Sequence, residues 1–217
     1  MPRIQYRNEA GKRLPGTTTV GGAFKPSIEG LLVWANRLGQ DGKDLDDGRN
    51  TATEPGTLAH SKIDAYLHGQ DPEAVDKGYP QDVIDKAQNS YLNFHHWAKN
   101  NELKPVSIEP NLVSEQYQYG GTPDLIARLH GKLAIVDWKT GRVYESVLLQ
   151  LAAYNHLWFE NHGEHFEAFH ILQIPRNADM PSFTHRFWGH LPDEAWACFE
   201  KLLSVYADWK TLKKFIS

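Results

Sequence analysis

The stretch GGTPDLIARLHGKLAIVDWKTG, residues 120–141, decides the fold class of this protein. It contains two short β-rich runs, residues 124–129 and 133–140. The tripeptide His130-Gly131-Lys132 between them is typical of a turn, and Gly120-Gly121-Thr122-Pro123 is expected to break the preceding strand-like run. The stretch therefore predicts two neighbouring strands, which an antiparallel pairing would join directly.

Three charged side chains lie at the ends of these two predicted strands. Side chains two residues apart in a strand point to the same face, so Asp137 and Lys139 project together. An antiparallel pairing would bring Asp124 beside Asp137, close enough for the two carboxylates to share a cation. Two carboxylates and a lysine at one point suit phosphodiester hydrolysis assisted by Mg²⁺ or Mn²⁺, which prefer oxygen ligands.

Each component of this predicted site has a chemical role. The metal would polarise the scissile phosphate and lower the pKa of a bound water. Lys139 would orient or deprotonate that water and offset the charge that develops on the phosphate. Deprotonation requires that the lysine pKa fall below its usual value of about 10.4.

The rest of the chain predicts an α/β domain with a helical N-terminal portion. Helical spacing of apolar residues predicts helices at residues 27–38, 54–67, 80–100, 146–161 and 192–213. Alternation predicts strands within residues 106–119, 166–174 and 183–190, and residues 40–50 are expected to form a polar loop. We expect one domain over residues 1–217, with a mainly helical portion in 1–105 and an α/β catalytic core in 106–217.

Composition limits the class of protein. With 217 residues, 41% of them hydrophobic, the chain can bury a core and is neither disordered nor collagen-like. No apolar run reaches the roughly 18–20 residues of a membrane span, and the first residues lack the apolar segment of a signal peptide. The single cysteine, Cys198, excludes an internal disulfide framework, and we expect it to be buried. The net charge of −4, from 23 Lys and Arg against 27 Asp and Glu, leaves nucleic-acid binding open.

The central stretch resembles the core of the PD-(D/E)XK nuclease superfamily. Pro123-Asp124 matches the first half of that motif, and Asp137-Trp138-Lys139 matches the second. The resemblance implies a restriction-endonuclease-like core, in which helices flank a mixed central sheet. It also implies that Asp124 and Asp137 ligate the metal, that the Trp138 carbonyl is a further ligand, and that Lys139 is the catalytic lysine.

Two outlying motifs are similar to the RecB-like branch of this superfamily. Gln150 and Tyr154 resemble its Q-x-x-x-Y motif and fall on one helix face, where they could brace the lysine and contact DNA. Gly56 and His60 resemble its G-x-x-x-H helix, whose histidine supplies a further metal ligand. The N-terminal residues are weakly similar to phage-type nucleases and to the mitochondrial genome maintenance exonuclease. The four-cysteine iron–sulfur cluster of some relatives is excluded because the chain has one cysteine.

Several other residues are weaker candidates. Glu115, before the Gly-Gly pair, is a possible additional group at the metal site. Aromatic faces stack on unpaired bases and cations contact phosphates, so four residues outside the motifs are DNA-binding candidates: Trp34, Arg37, Lys62 and Arg142.

The resemblance implies a DNA nuclease, specifically an exonuclease that favours single strands or DNA ends, with recombination or replication proteins as possible partners. A structure-specific or sequence-specific endonuclease is the alternative within this class. A nuclease-like fold that only binds DNA is the alternative from another class, although the intact Asp124, Asp137 and Lys139 argue against it. We expect the protein in a reducing cytoplasm, that of a bacterial or phage-infected cell.

Overall fold

The computed structural model describes residues 4–23, 35–37, 39–42, 45–140, 143–174 and 183–215, with residues 45–53 described by their backbone alone. The described strands are β1 (Tyr6–Arg7), β2 (Arg13–Leu14), β3 (Lys104–Ile108), β4 (Leu112–Ser114), β5 (Tyr119–Gly121), β6 (Leu125–Leu129), β7 (Lys132–Lys139), β8 (Ala168–Gln173) and β9 (Thr184–Trp188). The described helices are α1 (Thr17–Ala23), α2 (Leu45–Leu67), α3 (Gln81–Asn100), α4 (Ser146–His162) and α5 (Asp193–Lys213). None of these helices is both long and apolar enough to cross a membrane.

A five-stranded mixed sheet forms the centre of the fold, with strand order β3-β6-β7-β8-β9. β7 and β8 run parallel, whereas the other three neighbouring pairs are antiparallel. The pairs β1–β2 and β4–β5 form two small sheets beside it. The predicted mixed sheet flanked by helices is confirmed.

The β6–β7 hairpin is built as the sequence predicts. His130 and Gly131 have φ values of 49° and 86°. Positive φ at both central positions is what a two-residue hairpin turn between twisted strands requires. The register pairs Leu125 with Val136. Asp124, the residue before β6, therefore lies across from Asp137, the residue after Val136 in β7.

Alternate residues of β7 enter two different cores. Ile135 packs in the core that the sheet forms with α4 and α5. Val136 and Trp138 pack in the core on the opposite face, against α2 and α3. Because side chains alternate along a strand, Asp137 and Lys139 project towards α4, whereas Trp138 projects towards α2.

Two sequence predictions about the N-terminal half are wrong, namely the polar loop over residues 40–50 and the start of the following helix near residue 54. α2 begins at Leu45, so residues 45–50 are helical and do not belong to a polar loop. Pro55 lies inside this helix, although proline is usually confined to the first turn because it lacks an N–H. The predicted helix at residues 27–38 lies mostly outside the described residues, of which 35–37 are helical.

Two further predictions need correction. Gly120 and Gly121 do not break the strand-like run, because they belong to β5 and pair with Val113 and Leu112. Cys198 is exposed on α5 and is not a buried hydrophobe.

The first described segment closes over β5. Gly120 donates its N–H to the Pro15 carbonyl at 3.0 Å, and its own carbonyl accepts from Thr17 Oγ1 at 3.0 Å. The Tyr6 ring lies directly against Gly120, and the Tyr6 hydroxyl is hydrogen-bonded to Thr122 Oγ1 at 3.1 Å. A Cβ at residue 120 would overlap the Tyr6 ring. The N-terminal residues therefore reach the loop that leads into Asp124 only because residue 120 is glycine.

We predict that Gly120→Ala lowers the free energy of unfolding by about 1–3 kcal/mol, the usual cost of overpacking. Chemical denaturation measures this change. In a Tyr6→Ala background the same substitution should cost much less, because the ring that it meets is gone. Gly21→Ala, in α1 with open space around the added carbon, is the matched control and should not destabilise the fold. If Gly120→Ala lowers the free energy of unfolding equally in the wild-type and Tyr6→Ala backgrounds, this packing of the Tyr6 ring on Gly120 is contradicted.

Candidate active site

The predicted charged residues meet at the ends of β6 and β7. Lys139 Nζ lies 2.6 Å from Asp137 Oδ2. The Trp138 amide donates to Asp124 Oδ2 at 3.0 Å. The Asp137 side chain is 1% exposed, whereas that of Lys139 is 32% exposed. The site therefore combines two carboxylates, those of Asp124 and Asp137, with the Lys139 ammonium group. Asp137 is buried, whereas Lys139 is partly open to solvent.

The two carboxylates are unfavourable neighbours without a further positive charge. Burial and then repulsion from Asp137 raise the pKa of Asp124 to about 8. Lys139 and the Trp138 amide act in the opposite direction without overcoming this rise. A divalent cation shared by the two carboxylates would remove the repulsion, and their oxygens suit Mg²⁺ or Mn²⁺.

The fit to a metal rests on these two carboxylates. Among the residues that the structure describes, no three His, Cys, Asp or Glu side chains are grouped so as to hold a metal ion. The carboxylate pair nevertheless offers the hard oxygen donors that Mg²⁺ prefers, at a place where positive charge is needed.

In the metal-free site, the neighbouring carboxylates favour the protonated form of Lys139. Burial acts to lower its pKa, but the Asp137 and Asp124 carboxylates outweigh burial and raise it above the usual lysine value. The sequence hypothesis of a lysine base requires a lowered pKa, and the structure gives the opposite direction. Lys139 can therefore supply positive charge and a hydrogen-bond donor.

Gln150 and Tyr154 form a chain of hydrogen bonds that ends on Asp137. The Gln150 amide donates to Asp137 Oδ1 at 3.3 Å and to the Tyr154 hydroxyl at 3.0 Å. The Tyr154 hydroxyl donates to the Thr122 carbonyl at 3.1 Å. Gln150 thus makes a hydrogen bond to the carboxylate and, among the described residues, none to Lys139. Tyr154 is 3% exposed and cannot stack on a DNA base.

His60 reaches the end of β7 from the opposite face of the sheet. Its Nδ1 accepts a hydrogen bond from the Trp138 indole N–H at 3.0 Å. Burial lowers the His60 pKa to about 4, and Asp137 and Lys139 also act on it, in opposite directions. One turn earlier on α2, Gly56 lies against Thr140, whose Oγ1 would be 2.6 Å from a Cβ at residue 56. The G-x-x-x-H motif therefore brings α2 against the last residues of β7.

Among the residues that the structure describes, no hydrogen bond or ion pair joins the other predicted residues to this cluster. Lys62 is fully buried and pairs with Asp76 at 2.6 Å, so its prediction as a DNA contact is wrong. Glu115 is exposed in the turn between β4 and β5, where its Oε1 accepts from the Glu9 amide at 2.7 Å. Arg37 is exposed on a short helical segment. Trp34 and Arg142 lie outside the described residues.

Glu109 is an acidic neighbour of the site that sequence reasoning missed. Its amide donates to the Asp124 carbonyl at 3.1 Å, and its charge adds to the rise of the Asp124 pKa. Burial, followed by repulsion from Asp64, raises the pKa of Glu109 itself. The available signal was an acidic residue before a proline, Glu109-Pro110, inside an otherwise strand-like run.

These features define an α/β protein with a carboxylate–lysine site at the ends of two adjoining strands. The family model of the PD-(D/E)XK nuclease superfamily matches residues 35–182, well over half of the chain. The chain belongs to this superfamily, as the sequence motifs predict. None of the curated proteins is detectably similar in sequence.

Solved structures with a related arrangement include two bacterial proteins. One, from Eubacterium rectale and assigned provisionally as an exonuclease, is 14% identical over 70% of this chain, with a TM-score of 0.48. This chain covers 64% of that protein, which is less than two thirds of its length. The other is an alkaline exonuclease from Laribacter hongkongensis, which is 9% identical with a TM-score of 0.39. The match covers 74% of this chain and 84% of that protein. Membership of the superfamily rests on the family model.

We predict that the metal-free protein is destabilised by Asp124 at higher pH. The pKa of Asp124 rises on folding from 3.8 to about 8, so the folded state holds a proton that the unfolded chain releases above about pH 4. The contribution of Asp124 to the free energy of unfolding is therefore full below about pH 4 and is lost as the pH rises through about 8. Asp124→Asn should be more stable than the wild type near pH 8, and the difference should vanish towards pH 4. Denaturant unfolding in EDTA measures it, and Mg²⁺ should stabilise only the wild type near pH 8. Parallel pH profiles for the two proteins would contradict the assignment.

Proposed function

We propose that this protein is a divalent-metal-dependent exonuclease that hydrolyses phosphodiester bonds in DNA and favours single strands or DNA ends. One observation carries the proposal: Asp124, Asp137 and Lys139 converge at the ends of β6 and β7 in a chain of a nuclease superfamily. Phosphodiester hydrolysis needs a cation on the phosphate oxygens and an activated water, and this set of residues can bind such a cation.

The metal would be held by the Asp124 and Asp137 carboxylates, and the Trp138 carbonyl is the further ligand that the family resemblance suggests. Mg²⁺ and Mn²⁺ are the ions that such oxygen donors favour. When bound, the metal would polarise the scissile phosphate and lower the pKa of a water.

The chain's own residues would orient and neutralise the reacting groups. The Lys139 ammonium would bind a phosphate oxygen and offset the charge that develops during hydrolysis. The hydrogen bonds from Thr122 through Tyr154 and Gln150 hold Asp137 in one orientation, so that its carboxylate is positioned before the substrate arrives. Such positioning of a ligand by its neighbours commonly affects metal affinity by about 10–100-fold.

Exonuclease action and the preference for single strands or ends come from the resemblance to phage-type RecB-like nucleases. An endonuclease would use the same carboxylates and lysine, and a protein that only binds DNA would not need them. Recombination or replication proteins as partners, and a cytoplasmic location, stay predictions from the sequence.

We predict that the purified protein degrades linear DNA in the presence of Mg²⁺ or Mn²⁺ and that EDTA abolishes the activity. Substrates labelled at the 5′ or 3′ end, in single-stranded and double-stranded form, report strand preference and polarity. Circular single-stranded DNA of the same sequence should resist, because it has no end. Cleavage of the circle would favour the endonuclease alternative. Binding of DNA without cleavage in either ion would contradict the proposal.

We predict that Lys139→Ala lowers the cleavage rate by about 10²–10³-fold, the typical loss of a group that stabilises charge in the transition state. Mg²⁺ affinity should be retained or increased, because the carboxylates lose a competing cation. Calorimetry and single-turnover cleavage measure the two effects. Lys132→Ala, an exposed lysine at the other end of β7, is the matched control and should cut like the wild type. Near-normal cleavage by Lys139→Ala would remove this residue from the mechanism.

A further inference from the structure

We infer that His60 is a hydrogen-bond donor to the substrate phosphate and not a ligand of the metal, and that the Trp138 side chain determines this role. The inference rests on the proposed function, because it assigns one residue of that same site. It departs from the role that the G-x-x-x-H resemblance implies for His60.

The hydrogen bond between the two rings determines which nitrogen carries the proton. The Trp138 indole N–H lies 3.0 Å from His60 Nδ1, and an indole nitrogen can only donate. His60 Nδ1 must therefore be the acceptor, which leaves the single proton of the neutral imidazole on Nε2. An Nε2–H group has no lone pair for a metal. Ligation through Nδ1 would first require that the hydrogen bond to Trp138 be broken.

This polarity is the reverse of that found for ligating histidines. A histidine that binds a metal almost always donates its second ring N–H to a carboxylate, a carbonyl or a water. The neighbour of His60 is a donor instead, so it stabilises the tautomer that cannot bind a metal through Nε2. The residue type at position 138 is therefore decisive for the role of His60.

The surrounding packing holds the two rings together. Trp138 is 1% exposed, and its ring lies edge-on to Phe94 with the centroids 5.3 Å apart. Gly56 lies against Thr140 one turn before His60, so α2 contacts the end of β7 at two points. The packing of α2 against the end of β7 thus places the His60 ring beside the buried indole.

The Nε2–H group of His60 lies at the strand end that carries the reacting groups. His60 is half-buried at the end of β7, where its ring is hydrogen-bonded to Trp138, the residue between Asp137 and Lys139. Among the described residues, the Trp138 indole is the only hydrogen-bond partner of the imidazole. A phosphate bound at the carboxylate-held cation would bring oxygen acceptors to this place, and a neutral N–H can donate to them. Trp138 is then a positioning residue, because it acts through His60.

The tautomer is measured directly by NMR on the full chain with ¹⁵N-labelled histidine. Long-range proton–nitrogen correlations distinguish the two ring nitrogens, and the His60→Gln spectrum identifies His60 among the 11 histidines. We expect Nε2 to be protonated in the metal-free protein and to stay so when Mg²⁺ is added. An unprotonated Nε2 in either sample would overturn the inference.

A second readout uses Mn²⁺ itself as the probe. Pulsed EPR of the Mn²⁺-loaded protein detects a nitrogen that is bonded to the ion. We expect no such coupling in the wild type. A nitrogen coupling that disappears in His60→Gln would identify His60 as a ligand and overturn the inference, while the proposed nuclease activity would be unaffected.

The functional test compares His60→Ala with Trp138→Phe. We predict that His60→Ala lowers the rate of DNA cleavage by about 10²-fold, as expected for loss of one donor to the reacting group. The Mn²⁺ dissociation constant should change by less than about tenfold. Loss of a residue that only supports a metal ligand already costs about 10–100-fold in affinity, so a ligand should cost at least as much. Trp138→Phe keeps an aromatic ring but removes the N–H. Without this N–H, the His60 proton is no longer held on Nε2, so cleavage should slow. The double variant with His60→Ala should cut DNA no more slowly than His60→Ala alone.

These outcomes separate the two proposals. Wild-type cleavage by His60→Ala, or a larger loss of Mn²⁺ affinity, would overturn the role of His60 and leave the nuclease proposal intact. Failure of the wild type to cut DNA with either ion would contradict the proposed function. The tautomer of His60, read in the metal-free protein, would still test whether Trp138 imposes the Nε2–H form.

Discussion

The pairing of β6 with β7 brings two acids together that would otherwise avoid each other. Side chains alternate along a strand, so a slip of one residue in this pairing would move Asp124 to the wrong face and separate it from Asp137. The positive φ angles of His130 and Gly131 fix the length of the turn and hence the register. The apolar residues between the turn and the acids, buried on both faces of the sheet, hold that register against the repulsion.

The same alternation divides the surroundings of the site between two cores. Asp137 and Lys139 face α4, whose Gln150 and Tyr154 orient the carboxylate. Trp138 faces the other core and contacts His60 on α2. Three consecutive residues of one strand thus connect the carboxylate pair with helices from both layers. Each helix is held near the strand end by close packing, as Gly56 and Gly121 illustrate, because a side chain at either position would meet Thr140 or Tyr154.

Much of this arrangement could be predicted from local patterns. The hairpin, the positions of Asp124, Asp137 and Lys139, and the last three helices follow from periodicity and turn residues, whose effects extend over a few positions. Long-range contacts could not be read in this way. Lys62 looked like a free cation but is buried against Asp76, and Glu109 reaches Asp124 only through the pairing of β3 with β6. Pro55 misled the prediction of α2 because the helix continues on both sides of it.

The sequence by itself determined the superfamily, the mixed α/β class and the residues that meet at the strand ends, because these depend on the types and spacing of neighbouring residues. Only the tertiary structure decided the electrostatic state of those residues. Burial and the charge of Asp137 raise the pKa of Asp124, whereas the two carboxylates raise the pKa of Lys139 against the effect of burial, which favours the lysine as a cation in the metal-free site. The sequence also could not predict the role of His60. That role depends on the indole N–H of Trp138, which faces the His60 ring although the two residues are 78 positions apart in sequence.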